Sequence, residues 1–366
     1  MNYKEAGVDN DLKAQCSKLF YEAAKKTWFN RKKKFGEITA CQDAFTGGRG
    51  FLLKNDSNYI SGLASDGIGT KQVIAQRYST FTGDFTCHQD IMKDLFAMPA
   101  DDCPMKGAEP ILLNWTINFN KPNLECTRAL AKGSVIAAAE AGVAIFSGET
   151  AELGDIVGGY GDVRYLADAT VFWVAQKDYL LDPKDIEVGD SIVALKEDGF
   201  RSNGLTLVRK IAEQAYGDKW HEKEVNGENL AKMALVPSRI YAKAVVQMYG
   251  MIWSVAHITG GGIPEKLKRA MAGSNLGASL TNLYEPSKAI KTFQELGKVK
   301  DIDAYNTWNM GNGMLIITNT PSQIIEIARR YGIEARIAGE VIKEPYIEIL
   351  NKGMFNKNES LRFSLC

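Results

Sequence analysis

The chain has 366 residues, of which 45% are hydrophobic and 24% are charged, an ordinary composition for a globular protein. Its 44 Lys and Arg residues balance 44 Asp and Glu residues, so the formal net charge is zero. This balance argues against a general nucleic-acid binder or a protein that binds anionic membranes, because both normally carry a basic excess. The length exceeds what one core usually covers, so we expect two domains.

The cysteines and the first residues indicate a cytoplasmic protein. The six cysteines form no C-x-x-C pair, and no histidine lies at metal-ligand spacing from them, so we do not expect a structural zinc site. Residues 1–16 lack the apolar core of a signal peptide, and no apolar run approaches the ~20 residues that span a bilayer. We therefore expect free thiols, no membrane segment and a cytoplasmic location.

Strand and helix patterns alternate along the chain. Helical spacing of apolar residues predicts a first helix over residues 10–28, and residues 36–62 predict a loop with one short strand. Strands and helices then follow in turn as far as the segment "DYLLDPKDIEVGD" (178–190), where Asp, Pro and Gly are concentrated. A second series of strands and helices starts there and runs to Leu350. This alternation predicts α/β or α+β domains.

These signals predict three segments in the chain. Residues 1–180 would form an N-terminal domain, residues 181–350 a C-terminal α/β domain, and residues 351–366 a polar, poorly ordered tail.

Three glycine-rich loops and one acidic loop carry the functional signal: "SDGIGTK" (65–71), "SGETAE" (147–152), "TGGG" (259–262) and "PADDCPMKGAEP" (99–110). Glycines let backbone N–H groups approach an anion closely, whereas carboxylates repel a phosphate. A divalent cation resolves this conflict, because Mg²⁺ takes one or two carboxylates together with phosphate oxygens. The combination therefore predicts a site for a nucleotide with Mg²⁺.

Each loop also has a simpler interpretation. "SDGIGTK" is not a Walker A motif, because Thr70 precedes Lys71, and it could serve only to cap a helix. "TGGG" could be a linker, although a triple glycine that opens a helix at Ile263 or Pro264 favours an anion site. His257, two residues before "TGGG", either touches a substrate or is a buried structural histidine.

Taken in order, the motifs resemble those of the aminoimidazole ribonucleotide synthetases, also called phosphoribosylformylglycinamidine cyclo-ligases. The resemblance covers roughly residues 3–345. It rests on "YKEAGVD" (3–9), "SDGIGTK", "DLFAM" (94–98), "KGAEP" (106–110), "SGETAE", "SNGLTLVRKI" (202–211), "PSRIYAK" (237–243), "AHITGGG" (256–262) and "WNMGNGM" (308–314).

This resemblance implies a fold and an activity. The N-terminal mixed sheets of two subunits would pair into a barrel, and a C-terminal domain of sheet and packed helices would complete the active site of a homodimer. The enzyme would use ATP and Mg²⁺ to close the ring of formylglycinamidine ribonucleotide in purine synthesis, with release of ADP and phosphate. Such chemistry needs positioning and charge neutralisation more than a protein nucleophile, and the sequence shows no nucleophile.

Matched position by position, the resemblance assigns three groups of residues. The metal ligands would be Asp66, Asp102 and Glu149. The nucleotide would contact Lys25, Lys26, Gly67, Gly69, Thr70, Lys71, Gly148, Thr150, Gly260, Gly261 and Gly262. The candidate catalytic or substrate-contacting residues would be Asp102, Arg201, Asn203 and His257.

The sequence departs from the family pattern at Arg201. The family usually reads P-H-S-N-G where this chain reads "FRSNG" (200–204), so Arg201 stands in place of a histidine. Arginine cannot act as a general base at neutral pH, although it can hold an acidic oxygen. Two alternatives therefore stay open: an ATP-dependent superfamily relative that acts on another amide or acid, and a catalytically inactive nucleotide-binding relative.

Overall fold

The computed structural model describes the backbone of residues 37–40 and 49–52 and all of residues 58–365. Lys25, Lys26 and the helix predicted over residues 10–28 lie outside the described residues.

The N-terminal half is built on a mixed sheet. Its strands are β1 (Glu37–Ala40), β2 (Arg49–Leu52), β3 (Tyr59–Gly67), β4 (Glu109–Phe119), β5 (Ala144–Glu152) and β6 (Tyr165–Gln176). They lie in the order β1-β2-β3-β6-β4-β5, and only β4 and β5 run parallel. Along β6 the residues alternate between buried and more accessible positions, with Val171 and Trp173 in the core, as expected for a sheet with one covered face.

Three helices accompany this sheet: α1 (Lys71–Thr82), α2 (Cys87–Asp102) and α3 (Leu124–Ala141). Helix α2 packs against β3, β6 and α3, and Ile91, Leu95 and Phe96 on it are fully buried. The helix continues through Pro99, so the predicted acidic loop begins instead as the last turn of α2. A proline near a helix end removes only one intrahelical hydrogen bond, which burial of this face offsets.

The C-terminal half contains the second large sheet. Its strands are β7 (Ser191–Lys196), β10 (Ser254–His257), β11 (Gly277–Leu280), β12 (Asn312–Thr318), β13 (Ala335–Ile342), β14 (Tyr346–Leu350) and β15 (Ser360–Ser364). They follow the order β10-β12-β7-β13-β11-β14-β15, and only β11 and β14 are parallel. A small hairpin, β8 (Glu224–Val225) and β9 (Glu228–Asn229), lies apart from this sheet.

The helices of this half are α4 (Leu205–Tyr216), α5 (Leu230–Ala234), α6 (Ala242–Val246), α7 (Gly262–Ala270), α8 (Lys288–Gly297), α9 (Asp301–Tyr305) and α10 (Pro321–Arg330). One continuous hydrophobic core joins the two halves, since it includes both Phe96 of α2 and Leu207 of α4. The mixed α/β fold class predicted from the sequence is therefore confirmed. Within the described residues, no helix combines the length and the apolar character needed to cross a membrane.

The segment after Leu350 differs from the expected polar tail. It turns back and adds β15 to the edge of the second sheet, paired antiparallel with β14. The carboxylate of Asp301 anchors the turn, because it accepts hydrogen bonds from the backbone N–H groups of Met354, Phe355 and Asn356. Polar composition alone could not reveal this anchor, which lies about fifty residues earlier in the chain.

Candidate active site

Three of the predicted loops meet where the two halves of the protein join. A Cβ on Gly69 would lie 3.1 Å from the carbonyl oxygen of Ser202, so the first glycine loop lies against the "SNG" loop. A Cβ on Gly260 would lie 3.2 Å from Oδ1 of Asn203, so the "SNG" loop also contacts the "TGGG" loop. Gly69 has a φ of +66°, a backbone conformation that L side chains rarely adopt. The "SDGIGTK", "SNG" and "TGGG" motifs therefore lie next to one another in the folded protein.

The first loop keeps its aspartate accessible to solvent. Asp66 is exposed at the end of β3, and its carboxylate accepts a hydrogen bond from the backbone N–H of Gly67 at 2.8 Å. A Cβ on Gly67 would overlap the carboxylate of Asp168 on the neighbouring strand β6, so only glycine fits there without rearrangement. Thr70 lies next to the second half of the chain, with its hydroxyl 3.4 Å from that of Thr206.

Lys71 is buried and paired, which differs from the expected nucleotide contact. Its ammonium group donates to Asp94 Oδ1 and to the carbonyl oxygen of Val236, each at 2.7 Å, and neither charged side chain is exposed. Asp94 also accepts the backbone N–H of Ser238 at 2.9 Å. Lys71 therefore joins α1 to α2 and to the C-terminal half, and all of its observed contacts are structural.

The "SGETAE" segment lies within β5 and not in a turn after a buried strand. Glu149 and Thr150 are exposed, and Gly148 lies over the ring of Trp115, where a Cβ would come within 2.6 Å of the indole. The sheet register places Glu149 beside Thr116, Thr116 beside Asp168, and Asp168 beside Gly67. Three interstrand spacings, roughly 14 Å, therefore separate Glu149 from the first glycine loop along the sheet.

Asp102 and His257 are brought together from different halves of the chain. Asp102 is the last residue of α2, and its Oδ1 lies 2.8 Å from Nδ1 of His257, the last residue of β10. His257 is buried, whereas a third of the Asp102 side chain is exposed. Burial alone would raise the pKa of Asp102, but the hydrogen bond from His257 and the charges of Lys106 and Lys266 hold this pKa below its ordinary value. The surroundings of Asp102 therefore favour its ionised, carboxylate form.

Arg201 is fully buried behind this pair. One guanidinium nitrogen donates to Glu197 at 2.8 Å and to the carbonyl oxygen of Arg239 at 2.9 Å. The other nitrogen lies 2.8 Å from Asp101 and 2.8 Å from Nε2 of His257. Burial would lower the pKa of Arg201, but the Glu197 and Asp101 carboxylates raise it above the ordinary arginine value. The Arg201 side chain has no exposed surface, so its guanidinium N–H groups are not available to a phosphate in this structure.

The "TGGG" loop opens helix α7, as predicted, but the first helical residue is Gly262, one or two residues before the predicted start at Ile263 or Pro264. Gly261, with a φ of +95°, occupies the N-cap position and offers no side-chain cap to the first helical N–H groups. The Glu265 carboxylate folds back against Gly261, where it lies close to the position that a Cβ would take. The same carboxylate is ion-paired with Arg269 one turn later in the helix, so a negative charge lies next to the helix start, where the partial positive charge favours it.

The described residues fit a phosphate better than they fit a complete metal site. Gly67, Gly69 and Gly260 are at least partly accessible and suit phosphate oxygens, whereas Gly261 and Gly262 at the start of α7 are buried. Asp66 and Asp102 are carboxylates open to solvent. Residues 58–365, however, contain no group of three or more His, Cys, Asp or Glu side chains arranged to hold a metal ion. Asp66, Asp102 and Glu149 are thus not gathered into a single cluster, and their assignment as metal ligands stays a prediction.

Sequence reasoning missed the partners of Arg201. Glu197 follows β7 and accepts from Arg201, from the Tyr241 hydroxyl and from backbone N–H groups, while Asp101 also accepts the N–H groups of Tyr241 and Ala242. Two acidic residues buried near an arginine are a signal for a charge cluster. In the sequence, however, Asp101 and Arg201 are 100 residues apart, so only the fold shows that they pair.

The fold and the converging loops define a class of two-domain proteins, and comparison with known families identifies it. Residues 53–174 match the N-terminal domain of AIR synthase related proteins, and residues 187–350 match the C-terminal domain of the same proteins. The chain belongs to the phosphoribosylformylglycinamidine cyclo-ligase family, a family of ligases, as its relatives at 30% identity or more show.

Two of these relatives show how much of the chain the match covers. The phosphoribosylformylglycinamidine cyclo-ligase of Pyrococcus furiosus is 32% identical over 97% of this chain and 99% of its own length. The protein of the same name from Methanocaldococcus jannaschii is 34% identical over 78% of this chain and 79% of its own length. The match therefore extends over both halves of the chain.

Solved structures share the fold at lower identity. The structure described as T. maritima PurL complexed with ATP is 16% identical, with a TM-score of 0.53, and the alignment covers 93% of this chain and 48% of that chain. This chain thus spans about half the length of that relative. At such identity the likeness concerns the fold alone.

Proposed function

We propose that the protein catalyses the ATP-dependent ring closure of formylglycinamidine ribonucleotide to aminoimidazole ribonucleotide, with release of ADP and phosphate. The observation that carries this proposal is the convergence of the loops at Gly69, Asn203 and Gly260 beside Asp102, in a chain of the cyclo-ligase family. The related PurL structure is described as an ATP complex, which supports ATP as the phosphoryl donor. Family membership and the absence of a membrane-spanning helix in residues 58–365 favour a cytoplasmic location.

The reaction has two steps in this proposal. The formyl oxygen of the substrate attacks the γ-phosphorus of ATP, and ADP leaves. A nitrogen of the same substrate then attacks the former formyl carbon, phosphate departs with the oxygen, and a proton is released as the ring closes. Because the second step is intramolecular, holding the substrate in a folded conformation supplies much of the rate. No protein nucleophile is required.

The residues would bind and orient the reactants. Gly67 and Gly69 let the phosphates approach the backbone, and phosphate oxygens would replace the Glu265 carboxylate at the N-terminus of α7. Asp102, with Asp66, would hold Mg²⁺, which when bound neutralises charge on the phosphates. Asn203, next to Gly260, would donate hydrogen bonds to the substrate. Lys25, Lys26, Gly148, Glu149 and Thr150 stay predicted contacts.

The first sheet supports a homodimer. Leu63, Phe146 and Leu166 are 61%, 72% and 43% exposed on the described chain, all on strands of this sheet. Large exposed apolar residues mark interaction surfaces, and among the described strands β5 is the last of the sheet, beyond β4. We propose that two subunits pair their N-terminal sheets here.

The function is tested by measuring ADP and the aminoimidazole product together, with formylglycinamidine ribonucleotide, ATP and Mg²⁺ supplied. We expect equal amounts of both products. ADP without aminoimidazole product would contradict ring closure and support a relative that acts on another substrate. ATP binding without turnover on any amide or acid tested would support an inactive relative.

A matched pair of variants tests the role of Asp102. We expect Asp102→Ala to lose at least ~100-fold in kcat/KM, because the charged group that would hold Mg²⁺ is removed. Asp185→Ala, which removes an exposed aspartate just before β7, serves as the control and should keep full activity. Near-normal turnover of Asp102→Ala at limiting Mg²⁺ would rule out the assignment.

A further inference from the structure

We propose that Arg201 is a positioning residue that fixes the tautomer and orientation of His257 and thereby aims the Asp102 carboxylate into the active site. This inference rests on the proposed function for its activity readout only. The arrangement runs from two buried carboxylates, through one guanidinium and one imidazole, to a carboxylate that is open to solvent.

The guanidinium of Arg201 is held rigidly in place. It bonds Glu197 and Asp101, both at 2.8 Å, and its side chain and theirs are all fully buried. The Arg239 carbonyl oxygen accepts a further bond at 2.9 Å, and the Tyr241 ring lies 5.1 Å from the guanidinium carbon. Charge-assisted bonds to two fixed carboxylates leave this side chain no other orientation without a large desolvation cost.

The contact with His257 then determines where the imidazole proton lies. Arginine has only donors, so the Arg201 nitrogen 2.8 Å from Nε2 requires Nε2 to be the acceptor. The proton must therefore sit on Nδ1, which points at Asp102 Oδ1 at 2.8 Å. A histidine with one nitrogen fixed in this way orients the group bonded to its other nitrogen.

The consequence for Asp102 is geometric. One carboxylate oxygen of Asp102 is committed to His257, and one third of the side chain remains exposed to solvent. An orienting hydrogen bond behind a candidate metal ligand is the usual means of aiming such a ligand. Arg201 acts on Asp102 through His257, and no direct contact between Arg201 and a substrate is needed.

The backbone at Arg201 supports a specific role for this side chain. Its φ is +59°, in the left-handed region that residues other than glycine rarely adopt. The neighbouring Gly204 already supplies a left-handed residue to this loop. The strained conformation at Arg201 is maintained by the buried ion pairs, and it directs the side chain towards Asp101 and His257.

The test measures the His257 tautomer by nitrogen NMR of protein labelled at histidine, at pH 8. Only three histidines are present, so His88→Gln and His221→Gln variants assign the signals. In the wild type and in Asp102→Ala we expect the proton on Nδ1, because Arg201 still faces Nε2. The triple variant combines Asp102→Ala with Arg201→Met and Glu197→Gln. The last two changes remove one positive and one negative charge, so the net formal charge of the buried cluster is unchanged. In this variant we expect the proton to redistribute towards Nε2.

Two results for the His257 tautomer would overturn the proposal. A proton on Nε2 in Asp102→Ala would overturn the proposal, since Arg201 would then not control the tautomer. Retention of the Nδ1 proton in the triple variant would also overturn it. Asp102→Ala changes a partly exposed residue, so this arm does not depend on the folding of the buried variants.

Activity provides an independent readout. In Arg201→Met with Glu197→Gln we expect the half-saturating Mg²⁺ concentration to rise about 10–100-fold. The control is Arg239→Gln, whose side chain pairs with Asp198 and does not contact His257, and it should leave the Mg²⁺ dependence unchanged. An unchanged Mg²⁺ dependence in the double variant would contradict the proposed link to Asp102. A wild type that forms no aminoimidazole product would fail the proposed function but leave the tautomer result valid.

Discussion

Lys71 shows how a residue can match a motif and still have a structural role. The sequence places it after two glycines and a threonine, where a phosphate contact is expected, yet its ammonium group is completely buried against Asp94. Burial raises the pKa of Asp94, although the charge of Lys71 and the hydrogen bonds from Ser238 act in the opposite direction. Removing only one partner of such a buried ion pair leaves the other charge uncompensated, which destabilises the protein more than removing both.

We predict that Lys71→Met lowers the free energy of unfolding by about 3–5 kcal/mol, because it leaves the Asp94 carboxylate buried without its partner. Lys71→Met combined with Asp94→Asn should recover most of this loss. Urea unfolding followed by circular dichroism measures both values. If the double variant is stable but its KM for ATP rises more than tenfold, the nucleotide contact predicted from the sequence is supported after all.

His88 provides a second test at the residue scale. It is buried between the Tyr165 hydroxyl, 2.8 Å from Nδ1, and the Ser79 hydroxyl, 3.0 Å from Nε2, and burial lowers its pKa from 6.5 to about 4. The folded state thus disfavours protonation. The unfolded state binds more protons below pH 6.5, so the contribution of His88 to stability is complete above that pH and falls towards pH 4.

We expect the wild type to lose about 2 kcal/mol in the free energy of unfolding between pH 7 and pH 5 through this residue. In His88→Gln this part of the pH dependence should disappear, whatever the stability of the variant at pH 7. Urea midpoints at both pH values provide the comparison. An identical pH dependence in the two proteins would show that His88 is not responsible.

At the scale of elements, the sequence predicted the elements well and their interactions less well. The helix that follows "TGGG" and the alternation of strands with helices in both halves follow from glycine position and apolar spacing. The sequence did not predict that α2 continues through Pro99, or that the chain after Leu350 forms β15. Both depend on contacts with distant residues, such as the Asp301 carboxylate, which local pattern cannot encode.

The triple glycine that opens α7 can be tested against a matched glycine. Gly262 has a φ of +65°, and a Cβ there would overlap the carbonyl oxygen of Tyr305. Gly189 has a φ of +91° with open space around it. We expect Gly189→Ala to cost about 1–2 kcal/mol from backbone strain, and Gly262→Ala about 3–5 kcal/mol because steric overlap is added. Thermal unfolding distinguishes the two, and equal costs would mean that the Tyr305 contact relaxes freely.

At the scale of the whole molecule, the exposed face of the first sheet predicts self-association. We expect Phe146→Asp to shift the protein from twice the chain mass to the monomer, because a charge would be buried at the proposed subunit contact. Val188→Asp, which changes another exposed apolar residue just before β7, is the control and should leave the mass unchanged. Sedimentation velocity measures both variants. A wild type that sediments as a monomer would exclude the homodimer.

The buried cluster around Arg201 also has a consequence for inheritance. Asp101 and Asp102 come from the stretch of chain that matches one family domain, whereas Glu197, Arg201 and His257 come from the stretch that matches the other. An exchange of the second stretch for that of a relative with histidine at position 201 would replace Arg201 and Glu197 together and leave Asp101, from the first stretch, buried without its cation. Descendants of such an exchange would need a compensating change at position 101. Positions 101, 197 and 201 should therefore pass together from ancestor to descendant, even though a hundred residues separate the first from the last.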